Sequence, residues 1–166
     1  SRGLGDVYKR QAQIIKEVQS KYNGAQITKD MARRWKEQYS FVSTSTPDEP
    51  IMVDFSIEGK AMNLDITDCV QRACESIVDP IVENVKQLIA DSNPEYHDQF
   101  RRNMVLAGGG SGIRGLGALI ERRLSDMGDV NVHVVDDPVR LGAMGGLRLA
   151  MEVPEEMWKN LTLASR

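Results

Sequence analysis

The sequence predicts an α/β fold in which a helix-and-hairpin region precedes a parallel-stranded layer. Three observations carry this. Apolar residues between 12 and 39 recur at helical spacing, residues 51–66 alternate about a Glu58-Gly59-Lys60 turn, and the chain from Met104 onward runs strand, glycine loop, helix, strand, loop, helix. The last order requires a parallel pair, because a helix between two strands brings the chain back to start the second strand beside the first.

Each element follows from local chemistry. Ile14, Ile15, Val18 and Tyr22 define an amphipathic helix over 12–22 that stops at Asn23-Gly24. A second helix is predicted over 28–39, with Thr28 as its N-cap and Met31, Trp35 and Gln38 following. Ser43 to Pro50, rich in Ser, Thr, Pro and Asp, reads as a loop. In the hairpin, Met52, Asp54 and Ser56 alternate with Ile51, Val53, Phe55 and Ile57, and Met62, Leu64 and Ile66 return. Val70, Ala73, Cys74, Ile77, Val78, Ile81, Val85, Leu88 and Ile89 then fall three and four residues apart. Pro80 divides that stretch into two helices, with Asp79 as N-cap and Pro80 at the first helical position, and Asn93-Pro94 ends the second. Met104–Ala107 is a strand, Ala118–Leu124 a helix, Val130–Val135 a strand, Asp136-Asp137-Pro138 a turn and Leu141–Met151 a helix.

The chain has 166 residues, 41% hydrophobic and 27% charged, with a net charge of -3. No basic run suits a broad nucleic-acid surface. No apolar stretch approaches the roughly 20 residues that span a bilayer, so direct membrane insertion is not expected. Cys69 and Cys74 lie five apart in a helical pattern, which is neither a metal nor a disulfide spacing and points to a reducing cytoplasm. His97 and His133 have no ligand partner nearby, so no metal site is expected. Asp6 to Gln11 read DVYKRQ, which resembles the translation of a sequencing-adapter end. Residues 1–11 are therefore expected to be an artefact or a disordered tail that packs against nothing.

The loop from Gly108 to Gly117 is the strongest chemical signal. Glycines allow tight turns and close approach of a ligand to the backbone, and a helix start after them offers free N–H groups to phosphate or ribose oxygens. Gly110, Gly112 and Gly115 also spell G-x-G-x-x-G after an apolar strand, with Asp136 and Asp137 about 20 residues on, the pattern of an NAD-dependent oxidoreductase. Against that reading, too few residues follow Asp137 to complete a dinucleotide domain, and the preceding chain is helix and hairpin.

Several strings carry a resemblance: WKEQYSFV from Trp35, NPEYH from Asn93, NMVLAGGGSGIRGL from Asn103 and LRLAMEVPEEMWKNL from Leu147. Together they cover nearly everything after residue 11, and the chain resembles the C-terminal part of bacterial actin-like filament proteins, within the actin, chaperone-ATPase and sugar-kinase superfamily. Among these it is most similar to the MamK family of magnetosome filaments. The resemblance implies the second lobe of the actin fold. Residues 12–66 would form the small subdomain, 67–100 the linking helices, and 101–166 a ribonuclease-H-like core whose last helix packs behind the nucleotide. It also implies a site for ATP with Mg²⁺. Lys36 and Glu37 would contact the adenosine from the small subdomain, Gly108, Gly109, Gly110 and Ser111 would approach purine and ribose, and Arg140 would flank the purine. Ser111 could alternatively cap the following helix. The phosphate loops and the catalytic residues are expected upstream of Ala12, so no residue here is assigned to ATP hydrolysis. The implied protein is cytoplasmic and cytoskeletal, self-associates into filaments and meets magnetosome-associated proteins. A non-polymerising ATPase of the same superfamily is the remaining alternative.

Overall fold

A computed structural model describes residues 3–137, 140–154 and 157. Three helices and a small antiparallel sheet form its first half: α1 (Gly3–Lys21), β1 (Ala25–Gln26), α2 (Lys29–Tyr39), β2 (Met52–Ile57), β3 (Lys60–Asp65) and α3 (Thr67–Glu75). The second half holds α4 (Val78–Ala90), α5 (His97–Arg102), β4 (Met104–Leu106), α6 (Leu116–Arg123), β5 (Val132–Val134) and α7 (Leu141–Glu152). The sheets run β1-β2-β3, all antiparallel, and β4-β5, parallel.

The hairpin is built as its alternation requires. Glu58 and Gly59 take φ of 49° and 81°, which gives a two-residue turn of the left-handed kind that suits strand twist. Lys60 is therefore not part of the turn but pairs with Ile57. Val53 and Phe55 are buried while Met52 and Asp54 face outward. Phe55 meets Tyr22 and Trp35 edge-on, with ring centroids 5.7 and 6.0 Å away. Ile14 and Val18 of α1 and Val70, Ala73 and Cys74 of α3 complete this core.

Further details differ from the sequence expectations. α1 runs back to Gly3, and Arg10 and Gln11 are buried, so the stretch 1–11 is not a tail that packs against nothing; residues 1 and 2 lie outside the described residues. The break between α3 and α4 falls at Ser76-Ile77, and Pro80 sits inside the first turn of α4. A proline there costs no hydrogen bond, because the first-turn N–H groups have no helical acceptor. The short helix α5 follows Asn93-Pro94, where none was expected. The last helix does not pack behind a site: no residue of α7 is buried among those described. Leu141, Met144, Leu147 and Met151 recur at three- and four-residue spacing and form an apolar stripe, yet all four are exposed. Pro138, in the predicted turn, lies outside the described residues.

Candidate functional site

The last turn of α2 supplies one wall of a cleft. The Thr28 hydroxyl accepts from the Met31 N–H at 3.2 Å and sets the start of the helix. Ala32 and Trp35 are buried on its inner face. That phase places Lys36, Glu37 and Gln38 at the cleft. Beyond Tyr39 the Ser40 hydroxyl donates to the Lys36 carbonyl, and the chain then pairs with the end of the glycine loop. Arg114 N–H donates to Ser40 O at 3.2 Å and Val42 N–H donates to Arg114 O at 3.0 Å. Phe41 and Val42 are fully buried and anchor this junction.

The glycine loop supplies the opposite wall. Gly108 takes φ of 88°, the left-handed region that favours glycine. Its carbonyl accepts from the Ser111 N–H at 2.9 Å and from the Ser111 hydroxyl at 2.8 Å. Ser111 is thus buried and spends its hydroxyl on shaping the loop. It does not cap α6, whose N-cap is Gly115. A Cβ added at Gly109 would meet nothing within 4 Å, so the backbone there is open to a ligand.

The cleft between the walls has a volume of about 510 Å³, within the few-hundred to thousand Å³ range of small-molecule sites. Of the residues singled out in the sequence, it brings together Lys36, Glu37 and Gly109. Gly108, Gly110 and Ser111 hold the loop in shape behind them. Arg140 is not among them. It sits at the N-cap of α7, 79% exposed, with its guanidinium 3.6 Å from the Asp137 carboxylate. Gln38, Arg10 and Arg114 also line the cleft. None carries a signal for the site in the sequence: Gln38 is an exposed polar residue on a helix turn, Arg10 falls within the stretch 1–11 set aside as a tail, and Arg114 is an isolated charge in the glycine loop.

The cleft is cation-rich. Burial, and next the charge of Arg10, push the Lys36 ammonium below its ordinary value. The Glu37 carboxylate is turned to Arg33, at 3.0 Å, in an exposed pair along α2. Such i,i+4 pairs contribute only about 0.3–0.5 kcal/mol, so Glu37 is cheaply redirected to another donor. The two cysteines play no part: both are buried, and burial raises the Cys69 thiol to about 11. No group of three His, Cys, Asp or Glu side chains among the described residues is arranged to hold a metal ion.

The G-x-G-x-x-G pattern does lie in a β4-α6-β5 crossover with parallel strands. Packing nevertheless accounts for Gly115 and its neighbour Gly117. A Cβ at Gly115 would lie 2.5 Å from the Thr44 hydroxyl, and one at Gly117 would lie 2.9 Å from the Val134 side chain.

A helix-and-hairpin unit joined to a βαβ layer, with a cleft between the α2 turn and a glycine loop, is the second lobe of an actin-like fold. The chain belongs to the MreB/Mbl protein family, whose sequence profile matches residues 5–157. It is 41% identical over 136 residues to the actin-like protein MamK of Paramagnetospirillum magneticum, covering 82% of this chain and 39% of that protein. It is 38% identical over 136 residues to MamK of Magnetospirillum gryphiswaldense, covering 82% and 37%. The chain thus spans less than half the length of these curated relatives. A non-polymerising MamK mutant bound to AMPPNP superposes with a TM-score of 0.80 at 37% identity, over 88% of this chain and 44% of that one. A MamK double helical filament superposes with a TM-score of 0.80 at 36% identity, over 89% and 45%.

Proposed function

We propose that this chain is the nucleotide-gripping lobe of an ATP-dependent, actin-like filament protein that organises magnetosomes or similar cargo. The observation that carries the reading is the juxtaposition of Lys36 and Glu37 with the open backbone at Gly109 across one cleft. The residues fit an adenosine. Lys36 donates to a purine ring nitrogen or a ribose oxygen, Glu37 leaves Arg33 to accept from ribose hydroxyls, and the glycine backbone admits the flat purine. The left-handed Gly108 and the buried Ser111 hold that backbone in place. Bound ATP would supply a bridging ligand between the two walls, and its phosphates would carry the Mg²⁺. The described residues offer Mg²⁺ no acidic cluster of their own.

A ligand held by both walls favours one arrangement of them over others, and filament contacts that need this arrangement then depend on nucleotide. Self-association is the partner this implies, as in the MamK filaments that the fold resembles. Meetings with magnetosome-associated proteins and a cytoplasmic, cytoskeletal location belong to the same proposal. Among the described residues no helix is long and apolar enough to cross a membrane.

Isothermal titration of the full-length protein separates this reading from the oxidoreductase one. ATP with Mg²⁺ is expected to bind and NAD to give no heat of binding. Binding of NAD without ATP would overturn the proposal.

A further inference from the structure

The turn after α2 touches the glycine loop at one point outside the cleft. Ser43–Ser45 form a single 3₁₀ turn, closed by the Ser45 N–H donating to Val42 O at 2.8 Å. The Thr44 hydroxyl donates to the Gly115 carbonyl at 2.6 Å, across 71 residues of sequence. Gly115 takes φ of 79° there. A Cβ on it would stand 2.5 Å from the Thr44 hydroxyl and 2.8 Å from the Ser45 Cβ, so only glycine lets the two segments close to this distance. The turn itself is gripped from two further elements. Glu75 of α3 accepts from the Ser43 N–H at 2.8 Å, and Arg122 of α6 donates to the Ser43 hydroxyl at 3.3 Å.

Together with the backbone pairing of Ser40 and Val42 to Arg114, these contacts fix both sides of the residue that ends the loop. The Thr44 bond to the next residue adds a third point of attachment to the two backbone bonds. The loop can then hold Gly109 at a set distance from Lys36 and Glu37 before any ligand arrives, which lowers the ordering cost of binding.

We propose that Thr44 is a positioning residue for the nucleotide cleft, its hydroxyl clasping Gly115 so that the glycine loop and the α2 turn move as one wall pair. The inference rests on the reading of the cleft as an ATP site. Thr44 touches no nucleotide and acts only through the loop.

The test compares Thr44→Val, Thr44→Ser and Glu37→Ala in the full-length protein, by ATP affinity and by the thermal midpoint without nucleotide. Valine keeps the shape and removes the donor, and serine restores it. Thr44→Val is expected to raise the ATP dissociation constant about fivefold, the effect of one hydrogen bond. Thr44→Ser should bind within twofold of wild type with an unchanged midpoint, and the Thr44→Val midpoint should fall by no more than the few degrees that one hydrogen bond accounts for. Gly115→Ala, which pushes the turn away, should weaken binding further than Thr44→Val. If Glu37→Ala weakens binding while Thr44→Val does not, the clasp is overturned and the site stands. A serine variant as weak as valine, or a valine variant that melts earlier with unchanged affinity, overturns it equally. If neither Glu37→Ala nor Thr44→Val changes ATP binding, the site reading fails and the clasp fails with it.

Discussion

The two halves of the molecule treat their apolar residues differently. Around α1, β2 and α3, the side chains that periodicity marks as inward are inward: Ile14, Val18, Val70 and Ala73 are each 1% exposed or less. Around β4, β5 and α7 they are not. Val105 is 65% exposed, Leu147 63% and Met151 79%. An apolar cleft of about 490 Å³ lies between α4, α5 and β4, with Leu88, Phe100 and Val105 on its walls. A parallel pair is ordinarily covered on both faces. Helical spacing reports which side of a helix is apolar, while burial depends on what the neighbouring elements bring to it. In the first half one hairpin and three helices supply that partner to each other.

Truncations at matched chemistry sharpen the contrast. Phe55→Ala removes a ring held edge-on by Tyr22 and Trp35, and equilibrium denaturation should show a loss of about 3–5 kcal/mol. Leu147→Ala in the same chain should change stability by less than about 0.5 kcal/mol, as for other exposed positions. Equal losses at the two positions would erase the distinction between the halves.

A smaller effect is expected where the hairpin meets α3. The Asp65 carboxylate accepts from the Thr67 hydroxyl at 2.5 Å and from the Thr67 N–H at 2.8 Å, and the Thr67 hydroxyl itself accepts from the Ile51 N–H at 2.7 Å. The Thr67 hydroxyl first, and its N–H second, hold the Asp65 carboxyl below its ordinary value. A group lowered in the folded state contributes stability above its unfolded pKa, near 4, and that contribution fades as pH falls through the folded value. Because Asp65 is partly open to solvent, the contribution is no more than about 1 kcal/mol. Denaturation curves at pH 7 and pH 3 should therefore converge partly in Thr67→Ala relative to wild type. An unchanged pH dependence would mean that this junction adds nothing.

The hairpin, both early helices and the parallel βαβ order were legible because each rests on a local rule: period-two alternation, period-3.6 spacing, or a glycine turn. Boundaries shifted where two rules competed, as at Asp79-Pro80, where the capping signal lay two residues past the real break. The two-residue strand β1 was invisible because its pairing with β2 is a tertiary contact. At the site, Lys36, Glu37 and Gly109 came from the family resemblance and share one cleft. Arg140 did not join them, because its guanidinium is turned to Asp137 at the start of an exposed helix. The Thr44 contact with Gly115 had no local signature, since it joins segments 71 residues apart.

The central claim is that the cleft between α2 and the glycine loop binds ATP and that assembly depends on it. Pelleting of wild type and Glu37→Ala across an ATP titration tests both parts together. Loss of a hydrogen bond to a charged group costs about 1.5–3 kcal/mol, so the variant should need roughly ten to a hundred times more ATP to reach half-maximal pelleting. It should reach the wild-type plateau once ATP is raised well above its weakened dissociation constant. A Glu37→Ala protein that polymerised like wild type at every ATP concentration would contradict the account.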